Sequence, residues 1–176
     1  MTNKEALKKR SPAKSVAYLG ILTALAIVAG YLERFIPAPV AVPGIKLGLA
    51  NVVVLTALYA LGAKEALSVS VIRVMVNGLM FSGVFGVIYS LSGAILSFLA
   101  MLIGKKLNVF GVVGVSVLGG VFHNAGQIIA AAIIVENLKL LYYMPVLIVS
   151  GVIMGVITGF CAGFTLIHLI KLKIDI

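Results

Sequence analysis

Apolar residues run along almost the whole chain in six stretches, separated by short breaks that contain glycine, proline or charged residues. The stretches cover residues 15–35, 47–62, 65–82, 84–103, 111–136 and 143–170. A helix needs about 20 mainly apolar residues to cross the hydrocarbon core of a bilayer. We therefore predict an all-α membrane protein with six transmembrane helices. Hydrophobic residues at 62% and charged residues at 11% agree with that class and not with a soluble domain.

Lysine and arginine residues are distributed unevenly between the two ends of the predicted helices. With six crossings both chain ends lie on one side, which collects ten of these residues against three on the other. Cytoplasmic loops carry the excess of positive charge, so we predict cytoplasmic termini. The net charge of +9 is then explained by the excess of basic residues on the cytoplasmic side, where they contact anionic lipid. Nucleic acid is therefore not a predicted partner. The predicted organisation is a retained basic tail (1–14), one transmembrane domain (15–170) and a cytoplasmic C-terminal tail (171–176).

Small residues recur at helical spacing in the first and sixth stretches. Four glycines of the sixth stretch share one helix face: Gly151, Gly155, Gly159 and Gly163. Glycine lets helix backbones approach closely in a membrane, so we interpret this face as packing within the bundle. Gly20 and Ala24 share a face of the first helix, for which docking of a partner protein is a second interpretation.

Polar side chains inside the predicted helices are the strongest functional signal. A charge at the bilayer centre costs about 2.5–3.5 kcal/mol on insertion scales, and Arg73 lies in the middle of the third stretch with Asn77 on the same face. A helix rises ~1.5 Å per residue, which places Arg73 and Asn77 between the midplane and the outer surface of the bilayer. The polar residues of the fifth stretch lie at the same depth. The candidate binding residues are Glu33, Lys46, Asn51, Arg73, Asn77, His123, Asn124 and Gln127.

This placement predicts a cavity on the outer side that binds a small, anionic, partly apolar molecule. Lys46 and Arg73 would neutralise the anion, while His123 and the amides would orient it. Structural explanations stay open for each residue. They are an Arg73–Glu33 ion pair, a backbone hydrogen bond for His123, interhelical hydrogen bonds for the amides, and snorkelling of Lys46 to lipid headgroups.

The segment "PAPVAVPGIKLGLANV" (37–52) interrupts the apolar pattern with three prolines, two glycines and a lysine. Proline removes a backbone donor, so the segment cannot be helical throughout. A loop stiffened by proline also loses less entropy when it closes. We interpret it as a lid that delivers Lys46 to the cavity, the alternative being a stiff connector between two helices.

Several kinds of catalysis are not expected from these residues. The five acidic residues include no adjacent pair that could hold magnesium against a diphosphate, and no G-x-x-x-x-G-K-[ST] motif is present. Two histidines and one cysteine lack the spacing of a zinc site. The chain is therefore not predicted to be an enzyme, and neither a cofactor nor a metal is predicted.

Three stretches resemble one known family: "YLERFIPAPVAVPGIKLGLANVVVLTALY", "SLSGAILSFLAM" and "GVSVLGGVFHNAGQ". On these residues the chain is identified as a member of the bacterial Gx transporter family, also labelled heptaprenyl diphosphate synthase component I. The resemblance extends over essentially residues 15–170. That family is grouped with the substrate-binding S components of energy-coupling-factor transporters.

The resemblance implies a multi-pass protein of the bacterial plasma membrane that captures a vitamin-like or isoprenoid-related molecule near the outer face. Its partners would be a transmembrane coupling subunit and two ATPase subunits, which dock on a small-residue face of the first helix. Gly20 and Ala24 correspond to that face, with glycine where the family has alanine. The second family label implies instead a membrane subunit that assists a prenyl diphosphate synthase. A standalone lipid-binding or assembly protein is a third possibility.

Overall fold

The computed structural model describes residues 12–35 and 48–171, apart from the side chains of Pro12 and Arg34. Six α-helices follow one another in these ranges: α1 (Pro12–Leu32), α2 (Leu49–Ala60), α3 (Ala63–Phe81), α4 (Gly83–Lys106), α5 (Val112–Ile134) and α6 (Met144–Lys171). Two short 3-10 helices, Glu33–Phe35 and Leu138–Tyr143, follow α1 and precede α6. The described residues form no β-strand, so the all-α class is confirmed.

Four helical segments are long and apolar enough to cross a membrane: Ala13–Leu32, Gly83–Lys106, Val112–Ile134 and Leu138–Lys171. The protein is therefore a multi-pass membrane protein. Helix α2 is apolar but has 12 residues, and the 19 residues of α3 include three charged ones. That α2 and α3 also cross the bilayer stays a prediction, as do the side on which the termini lie and the division into tails and domain.

Five helices form a closed ring in which each packs on the next. The order around the ring is α2, α3, α4, α5 and α6, and α6 returns to α2. Helix α1 packs on α2 and α3. Residues from most helices can therefore face a common interior.

The close approach of α5 to α6 uses the predicted glycine face. A methyl group added to Gly155 would lie 2.6 Å from the Val117 Cα, and one added to Gly159 would lie 2.7 Å from the Val113 Cα. Gly151 packs on Gly120 in the same way. The interpretation as internal packing is confirmed for these three glycines. It is wrong for Gly163, which has open space around it.

The apolar core fills the half of the bundle in which α2 ends and α3 begins. Its fully buried members include Leu55, Leu58, Val69 and Val115. Lys105 Nζ donates a hydrogen bond of 2.5 Å to the carbonyl of Leu58, one of the carbonyls at the end of α2 that lack a helical partner. The interior space begins beyond this core, and the core residues Leu55 and Met101 lie at the boundary between the two.

Candidate functional site

A cavity of about 860 Å³ lies inside the ring, in the half in which α1 and α3 end and α4 and α6 begin. Its volume falls within the range of roughly 300–1,000 Å³ that is typical of small-molecule sites. Every helix contributes to the lining, and Glu33 contributes from the 3-10 helix after α1. Six of the eight predicted binding residues border it: Glu33, Asn51, Arg73, Asn77, His123 and Asn124.

Arg73 lies on the cavity wall and is tied to α2. Its Nη2 donates a hydrogen bond of 2.8 Å to Asn51 Oδ1, and the side chain is half-buried. Glu33 interacts with it electrostatically, but the Glu33 carboxylate accepts its hydrogen bond from the backbone N–H of Gly48. The Nε of Arg73 donates no hydrogen bond to any of the described residues. The guanidinium therefore has donor capacity that the described residues do not use.

Asn77 lies one helical turn beyond Arg73 on α3 and is tied to α1. Its Nδ2 donates a hydrogen bond of 3.3 Å to the carbonyl of Ile27. A methyl group added to Gly30 would lie 2.5 Å from the same Nδ2, so glycine is needed there for α1 to approach. Asn77 thus combines an interhelical hydrogen bond with a place on the cavity wall.

The fifth helix contributes two adjacent residues to the wall. Asn124 Nδ2 donates to the carbonyl of Leu147 at 2.7 Å and to Ser150 Oγ at 3.2 Å, which joins α5 to α6. His123 borders the cavity beside it. The amide therefore serves helix packing, as its structural explanation expected, and still faces the cavity.

One predicted residue lies outside the cavity wall, and another lies outside the described residues. Gln127 is 1% exposed, is not part of the cavity lining, and lies where α5 touches Gly93 of α4. Lys46, together with most of the segment interpreted as a lid, lies outside the described residues. A binding role for any of the eight residues stays a prediction.

The cavity also contains polar residues that sequence reasoning did not select as binding residues. Ser116 Oγ and Thr158 Oγ1 share a hydrogen bond of 2.8 Å between α5 and α6. Ser97 is 2% exposed and its Oγ has no partner among the described residues, while Tyr89 lines the α4 wall. Ser97 and Ser116 were visible as small or polar residues inside helices, but Thr158 and Tyr89 had no signal that separated them from core residues.

Apolar side chains complete the wall. The larger ones are Leu55, Val74, Met101, Ile128, Leu147 and Met154. Methionine adapts to irregular shapes, and together these groups can enclose a ring or a short hydrocarbon. Among residues 12–35 and 48–171, no three histidine, cysteine or acidic residues come together as metal ligands would. The geometry fits a molecule with a polar group and an apolar part.

The fold and the cavity define a helical, multi-pass membrane protein with an internal site of ligand size. The chain belongs to the family described as heptaprenyl diphosphate synthase component I, whose sequence model matches residues 22–165. No curated protein and no solved structure matches the chain significantly. The family name implies a partner component of that synthase, and the apolar helices imply a surrounding bilayer.

Proposed function

We propose that the protein is the substrate-binding subunit of an energy-coupling-factor-type uptake transporter. It captures a small, anionic, partly apolar molecule from the outer side of the membrane. The observation that carries this proposal is the cavity itself, whose lining combines the half-buried Arg73 with apolar side chains. An arginine inside a membrane protein is costly, and such residues usually serve a ligand or an ion pathway.

The contacts of Arg73 support a binding role. Among the described residues, Asn51 is the one acceptor of a hydrogen bond from Arg73, and Glu33 acts on the guanidinium electrostatically without accepting a hydrogen bond from it. An anionic group can accept the remaining N–H donors, in a site where water is restricted and charge-assisted hydrogen bonds are strong. The apolar part of the ligand would then contact residues such as Met101 and Leu147.

The exposed face of α1 supports the partners in this proposal. Gly20 has open space around its Cα, and Ala24 beside it is exposed. Larger apolar side chains on the same helix, such as Ile21 and Leu25, are more than half exposed. Small residues permit close approach of another membrane helix. We propose that the transmembrane coupling subunit docks here, and that the paired ATPases act through it.

A second function is favoured by the family name. A membrane subunit that assists a prenyl diphosphate synthase could use the same cavity for an isoprenoid product. Among the described lining residues, Arg73 suits a phosphate group and the apolar side chains suit a short hydrocarbon. In that case the protein would bind a soluble synthase and no ATPases.

Purification of the tagged protein from its own membrane in mild detergent, followed by mass spectrometry of bound proteins, separates these functions. Recovery of a transmembrane subunit with two ATPases supports the uptake proposal. Recovery of a prenyl synthase without ATPases supports the second function and contradicts the first. An unrelated six-helix membrane protein with the same tag serves as the control for non-specific binding.

A further inference from the structure

Hydrogen-bond partners determine how three asparagine amides of the cavity are oriented. Arginine has donors only, so the atom of Asn51 that meets Arg73 must be its oxygen. A backbone carbonyl accepts only, so the atom of Asn77 that meets Ile27 must be its nitrogen. The same reasoning applies to Asn124, whose nitrogen meets the carbonyl of Leu147. The chemistry of the partner atom alone therefore assigns the oxygen and the nitrogen of each of these three amides.

The atoms that remain for a ligand are therefore of both kinds. Asn51 retains its Nδ2 donor beside the guanidinium of Arg73. Asn77 and Asn124 have committed their donors to backbone carbonyls and retain their Oδ1 acceptors. The buried Oδ1 of Asn77 receives no hydrogen bond from the described residues, and within them no donor reaches the Oδ1 of Asn124.

The charges that border the cavity show the same balance. Glu33 and Arg73 are the carboxylate and the guanidinium among the described lining residues, and they have opposite signs. The sequence suggested a site made of cations and amide donors. In the structure, Arg73 and the Nδ2 of Asn51 are groups that could donate to a ligand, and the oxygens of Asn77 and Asn124 are groups that could accept from one.

We propose that the ligand carries N–H or O–H donors close to its anionic or carbonyl group. This inference rests on the proposed capture function and narrows its substrate class. Molecules of this kind are amino or hydroxy acids and nitrogen heterocycles with a carbonyl next to an N–H. An isoprenoid diphosphate is almost entirely an acceptor at neutral pH, so its head group offers no N–H and few O–H donors to the amide oxygens of Asn77 and Asn124. Sites with unpaired buried polar groups reject such ligands strongly.

The test identifies the ligand and counts its donors. The tagged protein is purified from host cells grown in yeast-extract medium, which serves as the ligand library. The bound small molecules are extracted and compared with those from an unrelated membrane protein carrying the same tag. Mass spectrometry in H₂O and in D₂O then counts the exchangeable hydrogens of any molecule specific to this protein.

A specific ligand with N–H or O–H hydrogens in addition to its acidic ones supports the inference. A specific ligand with acceptors only, such as a prenyl diphosphate, overturns the inference while capture of a small molecule still stands. The absence of any specific ligand overturns the proposed function and the inference with it.

Variants test the same point at two independent positions. Asn77→Leu and Asn124→Leu each remove one acceptor at similar volume, together with a donor that joins two helices. Retained ligand is therefore expressed per folded molecule, with the folded fraction measured by circular dichroism, and each variant is expected to reduce it by about tenfold or more. Asn137→Leu, at an exposed asparagine between α5 and α6, is the matched control and retains the ligand. Full retention by both cavity variants would overturn the inference.

Discussion

Substitution of Gly155 by alanine tests the packing that shapes the cavity. The added methyl group would lie 2.6 Å from the Val117 Cα and 3.0 Å from the Ser116 carbonyl oxygen. Carbon atoms in ordinary contact lie about 3.5–4.0 Å apart, so α5 and α6 must separate locally by roughly 1 Å. The neighbouring atoms belong to the backbone of α5, which cannot move aside as a flexible side chain could.

Gly163→Ala is the matched control, because Gly163 lies eight residues further along the same helix with nothing within 4 Å of an added methyl group. Both changes increase helix propensity by about 1 kcal/mol, so this effect cancels in the comparison. Overpacking costs about 1–3 kcal/mol. We therefore expect Gly155→Ala to be less stable than Gly163→Ala by that amount. At about 2–4 °C per kcal/mol, the difference in Tm is roughly 2–12 °C.

Far-UV circular dichroism during thermal unfolding in one detergent measures this difference, since the chain has no tryptophan for intrinsic fluorescence. Equal Tm values for the two variants would refute the close backbone contact between α5 and α6. A lower Tm for Gly163→Ala than for Gly155→Ala would also refute it, because the open position would then be the crowded one.

Four further predictions concern the site, its partners and the packed half of the bundle. Arg73→Ala should abolish ligand retention while the circular dichroism spectrum stays helical, because the anion loses its charged partner; normal retention would make the arginine structural. Gly20→Leu should leave ligand binding unchanged and block recovery of the coupling subunit, since the leucine enters open space, and normal uptake would contradict a docking face there. Lys46→Ala should slow capture in a stopped-flow or filter-binding assay, and unchanged kinetics would make the loop a simple connector. Lys105→Met should lower the free energy of unfolding by about 1–2 kcal/mol, because it removes the hydrogen bond to the Leu58 carbonyl and the contact with the Tyr59 ring, whose centroid is 4.6 Å from Nζ. The exposed Lys106→Met is the control and should leave Tm unchanged.

The positions of the helices were largely predictable from the sequence. Each of the six observed helices overlaps one of the six apolar stretches, and the helix ends differ from the predicted ends by a few residues. The break at Gly62, with φ of 126°, and the one at Gly83, with φ of 67°, are turns that favour glycine. Apolar length and turn residues are local properties, so they can be read without knowing which helices meet.

The candidate site was predictable in part. The cost of an unpaired polar group in a membrane selects residues such as Arg73 and Asn77 from the sequence alone. The same criterion also selected Gln127, which the structure buries against α4 outside the cavity. It passed over Thr158, which lines the cavity. Helical periodicity defines which residues share a face, but not the neighbour toward which that face is turned.

The sequence by itself determined that this chain is a helical membrane protein with costly polar groups in its interior. Only the tertiary structure decided which atoms of those groups are already hydrogen-bonded. Asn51 uses its acceptor and Asn77 its donor, although both are asparagines, because one meets a guanidinium and the other a backbone carbonyl. An amide side chain carries both functions, and the rotation and tilt of neighbouring helices decide which of the two is already used.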